Sequence, residues 1–464
     1  MITLSFHGAA RTVTGSRHLV TVNDQKVLLD CGLYQGRRAD TYQQNLHFSF
    51  NPEEVNALLL SHSHIDHIGN TPNLVKQGFH GDIHATLATV DLVSVMLMDA
   101  AHIQESDIKF VNKIRQRKGL PPMEPLYRSE DIPPVTELLT GHNYNRWFPV
   151  TPSVTAILRD AGHVLGSATI VLKIKDNGRE LSLCYTGDLG RKNLPIIRDP
   201  QTVDDAEILI IESTYGNRLH SNISNIKEKL AAIINETIAR NGKIFIPAFA
   251  LERTQEIVYT LHQLKLERII PDIPVYVDSP LAIDATNVFR MHPECFDKET
   301  NEFLRKAEDP FGFSKLSYTR RAEESIALNA IKQPVIILAG SGMVESGRIL
   351  HHLKNNIENP RNTILIVGWQ GENTLGRKIA DKWPKVPIFG ESYDLKAQVE
   401  VFDEFSAHAD RDDLMEWVTK CKKCWRKVFI VHGEETASLA FAQTLRDSGI
   451  PEVIVPELNQ SFIL

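Results

Sequence analysis

The sequence predicts an α/β protein of two domains, and three observations support this. The chain has 464 residues, more than one hydrophobic core usually holds. Between residues 208 and 390, near-continuous apolar segments of strand length alternate with segments of helical spacing. That alternation is typical of a doubly wound parallel sheet. Shorter strands joined by turns are predicted in residues 1–60 and again in residues 150–190.

The composition describes a soluble globular protein, with 42% hydrophobic and 23% charged residues. No apolar run approaches the roughly 20 residues that span a bilayer, and the N-terminus lacks the pattern of a secretory signal. Five cysteines do not form a disulfide framework, which fits a reducing cytoplasm. We therefore expect a cytoplasmic protein, and the lack of a long apolar run predicts no membrane partner. The net charge of −7 is not that of a general nucleic-acid binder, so such binding would need local basic patches and bound metal.

The N-terminal strands, predicted near residues 3–6, 17–22 and 26–30, end at Asp30. An Asp at a strand end beside a metal-binding loop can orient a ligating His through its other ring nitrogen. A plain turn residue is the alternative, and both stay open at this point.

The strongest signal is the segment that follows the apolar run at residues 58–60. His62, His64, Asp66 and His67 come within six residues of one another. His62 and His64, two apart in a tight turn, can point ring nitrogens at one centre, and Asp66 and His67 can reach a second centre nearby. Imidazole nitrogen with carboxylate oxygen suits Zn²⁺, and bridging carboxylates suit two metals about 3.5–4 Å apart.

Two later residues extend this pattern. His163 lies in a small-residue turn between strands about a hundred residues further on, and Asp188 ends a strand in a Gly-flanked loop. Alone, a His after Gly is usually structural. Following a four-ligand loop, both become candidate ligands.

The central region carries polar residues where its predicted strands end. Glu212 ends the first of these strands, and Arg253, Asp278 and the turn at 340–343 follow later ones. Ligands bind parallel sheets beyond the carboxyl ends of the strands. The segment Gly340-Ser341-Gly342 before a predicted helix is a plausible phosphate seat through backbone N–H groups. Gly-rich turns of this kind are also common without a ligand.

The C-terminal region supplies two more histidines. His408 stands in the segment SAHAD, which opens a helix, and His432 ends a strand in the segment VHGE. Singly, each is more often structural, but with Glu212 they form a second set.

The HxHxDH loop, the isolated His163 and the strand-end Asp188 together resemble the metallo-β-lactamase superfamily. That family has an αββα sandwich with a metal site at its edge. The resemblance implies that one zinc is held by His62, His64 and His163. It also implies a second zinc held by Asp66, His67 and His432, with Asp188 bridging the two.

The second set resembles the β-CASP branch of that superfamily, nucleases that carry an inserted doubly wound parallel-sheet domain. Particularly close are PAFALERTQEI (247–257), DSPLA (278–282), LAGSGM (338–343), GRILHHL (347–353) and VHGEE (431–435). The chain looks like the compact bacterial and archaeal type related to the cleavage-and-polyadenylation nuclease subunit. The expected organisation is a metallo-β-lactamase domain at 1–210, a β-CASP insert at 211–390 and a return segment at 391–464.

The resemblance implies a zinc-dependent ribonuclease that hydrolyses single-stranded RNA with a hydroxide activated by two Zn²⁺ ions. Asp66 is expected to orient the water or accept its proton. His408 is expected to protonate the leaving oxygen, and Glu212 to hydrogen-bond to His408. Substrate-binding candidates are Arg253, Ser341 and Gly342, with Asp30 supporting a ligand. A homodimer is plausible for this type, although no residue indicates one.

Two alternatives stay open. A small-molecule metallo-hydrolase of the lactonase or thioesterase type shares the HxHxDH loop, but it needs neither the long insert nor the second set. A non-catalytic scaffold paralogue would have lost ligands, whereas all seven are present. The sequence does not decide between endonuclease and exonuclease.

Overall fold

The computed structural model describes residues 1–36, 38–220, 226–306, 309–368, 370–402, 406–421 and 425–464. The chain divides into two compact units. Unit 1 consists of Met1–Lys192, Asp199–Leu219 and Ala407–Leu464. Unit 2 consists of Asn193–Arg198 and His220–Ser406.

The first part of unit 1 contains eleven strands and five α-helices among the residues that the structure describes. Its strands before unit 2 are β1 (Ile2–Phe6), β2 (His18–Val22), β3 (Gln25–Leu29), β4 (Ala57–Leu59), β5 (Asp82–Thr86), β6 (Leu139–His142), β7 (Phe148–Thr151), β8 (Val154–Asp160), β9 (Ala168–Asp176), β10 (Arg179–Tyr185) and β11 (Ile208–Glu212). Its helices in the same stretch are α1 (Arg38–Leu46), α2 (Ile65–Ile68), α3 (Thr71–Lys76), α4 (Leu87–Arg117) and α5 (Ile132–Glu137).

Unit 2 and the return to unit 1 follow in the chain. Unit 2 contains α6 (Ile226–Ala239), β12 (Ile244–Pro247), α7 (Arg253–Leu266), β13 (Val275–Asp278), α8 (Pro280–Met291), α9 (Lys298–Arg305), β14 (Leu316–Tyr318), α10 (Ala322–Ala330), β15 (Ile336–Ala339), α11 (Arg348–Asn356), β16 (Thr363–Val367), α12 (Leu375–Ala380), β17 (Lys385–Ile388), β18 (Glu391–Asp394) and β19 (Gln398–Phe402). Unit 1 resumes with α13 (Arg411–Thr419), β20 (Lys427–Val431), α14 (Glu435–Asp447), β21 (Val453–Ile454) and β22 (Ser461–Ile463).

Unit 1 is built from two sheets that enclose a core. One has the order β22-β1-β2-β3-β4-β5-β6 and the other β21-β20-β11-β10-β9-β8-β7. Alternate residues of both sheets, among them Phe6, Leu29, Leu172 and Phe429, form one buried cluster. The opposite face of the second sheet packs on α13 and α14 through residues such as Trp417. This arrangement is the expected αββα sandwich.

The strand directions of unit 1 bring particular strand ends together. In the first sheet β3, β4 and β5 run parallel, and in the second sheet β10, β11 and β20 do the same. Because the carboxyl ends of parallel strands meet at one edge, Asp30 and Ser61 lie near each other. Asp188, Glu212 and His432 collect at the other sheet by the same reasoning.

Unit 2 contains a sheet of the order β14-β13-β15-β12-β16-β19, and every strand pair in it is parallel. The strand residues of β12, β15 and β16 are buried on both faces, which explains their continuous apolar character. The predicted doubly wound sheet is confirmed.

The division into units differs from the expected boundaries at 210 and 390. Unit 2 extends to Ser406, because β18 pairs with β17 and β19 pairs with β16 of the unit 2 sheet. By this division β18 and β19 pack with unit 2. Residues 211–219 stay in unit 1, where Tyr215 bridges to Asp410.

Helix α4 has 31 residues and an 18-residue window of mean hydropathy 1.2, so by length and composition alone it can cross a membrane. One such helix among the described residues is weak evidence, because a core helix of a soluble protein has the same properties. Its first half is packed through Leu92, Val93 and Leu97. The absence of a membrane partner stays a prediction.

Candidate metal centre

The HxHxDH loop is held by close backbone packing. Helix α2 is a single turn that begins after His64, whose carbonyl accepts from the N–H of His67 and Ile68. A Cβ on Gly32 would lie 1.5 Å from the Asp66 carbonyl oxygen. Only glycine fits there, so the loop lies directly on the segment that follows β3 and its side chains are fixed in position.

The first cluster comprises three imidazoles and one carboxylate. His64 Nδ1 lies 3.1 Å from His62 Nε2 and 3.3 Å from His163 Nε2. Asp188 Oδ2 lies 3.5 Å from both His62 Nε2 and His163 Nε2. The four atoms all lie within 4.8 Å of one another.

The second cluster meets the first at the same carboxylate. His432 Nε2 lies 3.2 Å from His67 Nε2 and 3.3 Å from Asp66 Oδ2. Asp188 Oδ1 is 3.3 Å from His67 Nε2 and 3.2 Å from His432 Nδ1. Asp188 thus presents one oxygen to each cluster.

These separations fit a metal ion. A tetrahedral zinc with Zn–N bonds of about 2.0–2.1 Å keeps its ligand atoms roughly 3.3–3.4 Å apart. Asp188 Oδ1 is buried and makes no well-formed hydrogen bond to a described residue, and the same holds for His163 Nδ1. Buried polar atoms are normally satisfied, and a bound cation would satisfy Asp188.

Asp30 supports this centre from behind. Its Oδ2 accepts hydrogen bonds from His67 Nδ1, Ser61 Oγ and Tyr185 Oη, each at 2.7 Å. Its Oδ1 accepts from the backbone N–H of Ser61, also at 2.7 Å. The bond to His67 fixes the ring so that Nε2 faces the second cluster, as outer carboxylates do for ligating histidines.

His408 and Glu212 lie beside the first cluster. His408 Nδ1 is 3.2 Å from Glu212 Oε1 and 3.9 Å from Asp188 Oδ2. Glu212 is fully buried and accepts from the backbone N–H of Leu189 and Thr214. The His408 side chain keeps 22% of its surface exposed, so it can meet both the centre and solvent.

Models of three families match the chain. The metallo-β-lactamase superfamily matches residues 14–208, the β-CASP domain residues 254–379, and the RNA specificity domain of Zn-dependent metallo-hydrolases residues 392–456.

Related proteins extend over nearly the full length. Ribonuclease TTHA0252 of Thermus thermophilus is 35% identical, with 94% of each chain covered. An RNase J-like protein of Methanocaldococcus jannaschii is 31% identical, with 96% of each covered. The chain belongs to the β-CASP nuclease branch of the metallo-β-lactamase superfamily.

Two further proteins are similar to this chain. The transcription termination factor FttA of Methanocaldococcus jannaschii is 31% identical over 98% of this chain and 70% of its own length. A crystal structure of a protein of unknown function from Enterococcus faecalis superposes with a TM-score of 0.58 at 13% identity, covering all of both chains. That likeness concerns the fold alone.

The protonation of this β-CASP centre suits metal binding. Burial lowers the pKa of His62 and His163 well below the usual value, and that of His64 to about 4. Burial alone would raise the pKa of Asp66, but its hydrogen bond to His432 and the nearby imidazoles lower it to about 2. Neutral imidazoles and ionised carboxylates are the forms that bind metal.

His67 and His408 behave differently, because carboxylates outweigh burial at both. Burial would lower the pKa of His67, but Asp188 and Asp30 raise it well above the usual value. At His408, Glu212 and Asp188 overcome burial and raise the pKa to about 9. Bound cations beside Asp188 would lower both values again.

The substrate-binding candidates Arg253, Ser341 and Gly342 lie in unit 2. Arg253 is buried and its guanidinium pairs with Glu256. Ser341 Oγ accepts from the backbone N–H of Glu345 and Ser346. The helix expected directly behind the 340–342 turn begins only at Arg348, because residues 341–346 form a loop that Ser341 closes. The N–H of Ile349, in the first turn of α11, donates to the Gly340 carbonyl at 3.1 Å, and the phosphate seat stays a prediction.

Two residues that sequence reasoning missed complete the β-CASP centre. Tyr185 lies on β10 and reaches Asp30 across the core, and Thr214 Oγ1 contacts His432 Nδ1 at 3.1 Å. Tyr185 precedes the Gly187-Asp188 loop in a buried strand, and a buried Tyr hydroxyl normally needs a partner. The position of Tyr185 in this strand was therefore the sequence signal that could have identified it.

Proposed function

We propose that this β-CASP enzyme is a ribonuclease that hydrolyses phosphodiester bonds of single-stranded RNA with two Zn²⁺ ions. The ligands are proposed to be His62, His64 and His163 for one ion and Asp66, His67 and His432 for the other, with Asp188 shared. The observation that carries the proposal is that a cluster of four ligand residues and a cluster of three lie at the two oxygens of Asp188.

RNA as the substrate is supported by the relatives and by the match to an RNA specificity domain. The 35% identical relative is a ribonuclease, and another is RNase J-like. The matched RNA specificity domain covers residues 392–456, which include both His408 and His432.

Zinc ions at these ligands would lower the pKa of coordinated water and offset the charge of the phosphate oxygens. The pKa of Asp66 is lowered to about 2, so the carboxylate is ionised at neutral pH, and it is proposed to orient the attacking water or accept its proton. His408 is proposed to donate a proton to the leaving oxygen. Glu212, 3.2 Å away, holds that imidazole in place and favours its protonated form.

Arg253, Ser341 and Gly342 are proposed to serve substrate binding by shaping the carboxyl edge of the unit 2 sheet. The Arg253 charge is already paired and the Ser341 hydroxyl is used within its loop. Their proposed contribution is therefore to fix the local backbone at this edge, Arg253 at the start of α7 and Ser341 within the 341–346 loop.

The test is cleavage of one oligoribonucleotide labelled at either its 5′ or its 3′ end, read on a gel, with metal content measured on the same protein. We expect two zinc ions per chain, cleavage of the single strand, slower cleavage of the matching duplex, and loss of activity after chelation that zinc restores. The label that first appears in short products separates 5′-exonuclease, 3′-exonuclease and endonuclease action.

The small-molecule alternative is tested with the same protein. Hydrolysis of a lactone or thioester without cleavage of RNA would contradict the proposal. The matched control is His102→Ala, which removes an exposed histidine of unit 1 and should leave metal content and cleavage unchanged.

A further inference from the structure

The carboxyl edge of the unit 2 sheet carries a feature that the metal centre does not use. Strands β12, β13 and β15 are parallel and adjacent, so the segments after Pro247, Asp278 and Ala339 meet at one edge. Ligands of doubly wound sheets bind at this edge. Phe249, two residues beyond β12, lies there with 45% of its surface exposed.

One face of the Phe249 ring covers Gly342. A Cβ built on Gly342 would lie 2.6 Å from Cδ2, 2.7 Å from Cε2 and 2.9 Å from Cγ of Phe249. Nearly equal distances to three consecutive ring atoms are those of a point above the ring, since a point beyond the ring edge would be close to one or two atoms only. The glycine therefore supports one ring face, and the exposed surface belongs mainly to the opposite face.

The segment that carries this ring is fixed before any ligand arrives. The Phe249 carbonyl accepts from Thr254 Oγ1 at 2.7 Å and from the Thr254 N–H at 3.2 Å. The preceding N–H, of Ala248, donates to Ala339 at 3.1 Å. A preorganised aromatic face loses little conformational entropy when it binds.

The surroundings of the ring suit a nucleotide. A Cβ on Gly340 would meet nothing closer than Ser279 Oγ at 3.9 Å and the Ala248 carbonyl at 4.0 Å, so the backbone beside the ring is open to approach. The loop after β14, three strands away from β12 in the same sheet, carries exposed Arg320 and Arg321. Their partners Asp284 and Glu324 form surface ion pairs, which are weak in water and leave the cations available to phosphate.

We propose that the exposed face of Phe249 stacks on a nucleobase of the RNA substrate, with Gly342 as the support of the ring. The inference rests on the proposed function and adds a base-binding position to it. Every base offers a π-face, so such a position increases affinity without selecting a sequence.

The experiment compares two ligands and four proteins by fluorescence anisotropy. The ligands are a labelled oligouridylate and a sugar–phosphate chain of the same length without bases. The proteins are the parent, Phe249→Leu, which keeps an apolar side chain on Gly342, Phe249→Tyr, which keeps the ring, and Phe389→Leu. Phe389 is the matched control, since it is a 53% exposed Phe elsewhere in unit 2.

We expect Phe249→Leu to weaken oligouridylate binding by about 5- to 150-fold, the loss of one stacked base. Its affinity for the chain without bases should not change. Phe249→Tyr and Phe389→Leu should bind both ligands as the parent does. Equal affinity of Phe249→Leu and the parent for oligouridylate, or equal losses on both ligands, would overturn the inference.

Cleavage of the same oligouridylate separates the two proposals. If the parent cuts the oligouridylate and Phe249→Leu binds it as the parent does, the stacking proposal is wrong and the ribonuclease proposal is kept. If Phe249→Leu weakens binding of the oligouridylate as expected but the parent does not cut it, the stacking proposal is kept and the ribonuclease proposal is wrong. A parent that neither binds nor cuts RNA overturns both.

Discussion

In each unit, polar residues follow the carboxyl ends of parallel strands, but the two units use these residues in opposite ways. In unit 1 the residues after the strands converge: ligand atoms of His62, His64, His163 and Asp188 all lie within 4.8 Å of one another. In unit 2 the predicted polar residues are occupied locally, Ser341 within its own loop and Arg253 with Glu256. Convergence of side chains from different elements therefore indicates chemistry better than a polar turn at a strand end does.

Asp188→Asn is the change that should break the unit 1 edge most completely. Both clusters lose a charged oxygen, so we expect at least one metal ion to be lost. Removing a general acid lowers the cleavage rate by about 10²–10⁴-fold. We expect Asp188→Asn to lower the rate of RNA cleavage by at least as much. Metal analysis and single-turnover cleavage measure this. Asp82→Asn, an exposed position on β5, is the control, and full metal content in Asp188→Asn would refute the shared-ligand assignment.

His408→Ala separates proton transfer from metal binding within the same edge. Seven other side chains supply the two clusters, so both metals should remain while kcat falls by about 10²–10⁴-fold. The measurement pairs metal content with kcat, using His102→Ala alongside. A variant that loses zinc would make His408 a ligand, and a variant with near-parental cleavage would remove it from catalysis.

Tyr185→Phe tests whether support from behind the centre matters. The Asp30 carboxylate loses one of its three side-chain donors, and outer partners of this kind are worth about 10–100-fold in metal affinity. Competition with a chelator measures the zinc affinity. Tyr127→Phe, another buried tyrosine of unit 1, should bind zinc as the parent does, and equal affinities in all three proteins would show that Tyr185 only packs.

Glu212→Gln should act through His408 with a smaller effect. Glu212 raises the pKa of His408, so replacing its charge lowers that pKa. His408 must be protonated to act as an acid, and activity is lost as the pH rises through its pKa. We therefore expect the alkaline limb of the kcat profile to move to lower pH, with less than about tenfold loss below it. An unchanged profile would contradict the role.

Ser341→Ala is the corresponding change in unit 2 and should have the smallest effect. Its hydroxyl closes a loop, so stability should fall by about 0.5–1.5 kcal/mol. RNA affinity should change by less than about threefold. Urea unfolding and anisotropy measure the two quantities. If the free energy of RNA binding falls by more than the free energy of unfolding, Ser341 contacts the substrate directly.

Sequence reasoning succeeded where a few residues of short spacing decide the outcome. The HxHxDH loop follows a buried strand, and its ligand types and order indicated the metallo-β-lactamase superfamily. The alternating apolar segments at 208–390 predicted the parallel sheet of the insert. Tyr185 was missed because its partner Asp30 lies 155 residues away on the other sheet, and no local pattern encodes contact across a core. The compact units divide beyond residue 390, because β19 pairs with β16 and no local pattern encodes that pairing. The cytoplasmic location and the homodimer stay predictions.

The pairing of β11 with β20 has a consequence for synthesis on the ribosome. Ile208 aligns with Lys427 and Glu212 with Val431, so about two hundred residues of unit 2 must be translated between the two strands. The first cluster is complete once Asp188 has emerged, but the second needs His432. Domains tend to fold as units during translation, so unit 2 can fold while unit 1 waits for its last strands. We expect arrested nascent chains that stop before His432 to leave RNA uncut, so a protein of this kind would not attack the message that encodes it until translation has passed that codon.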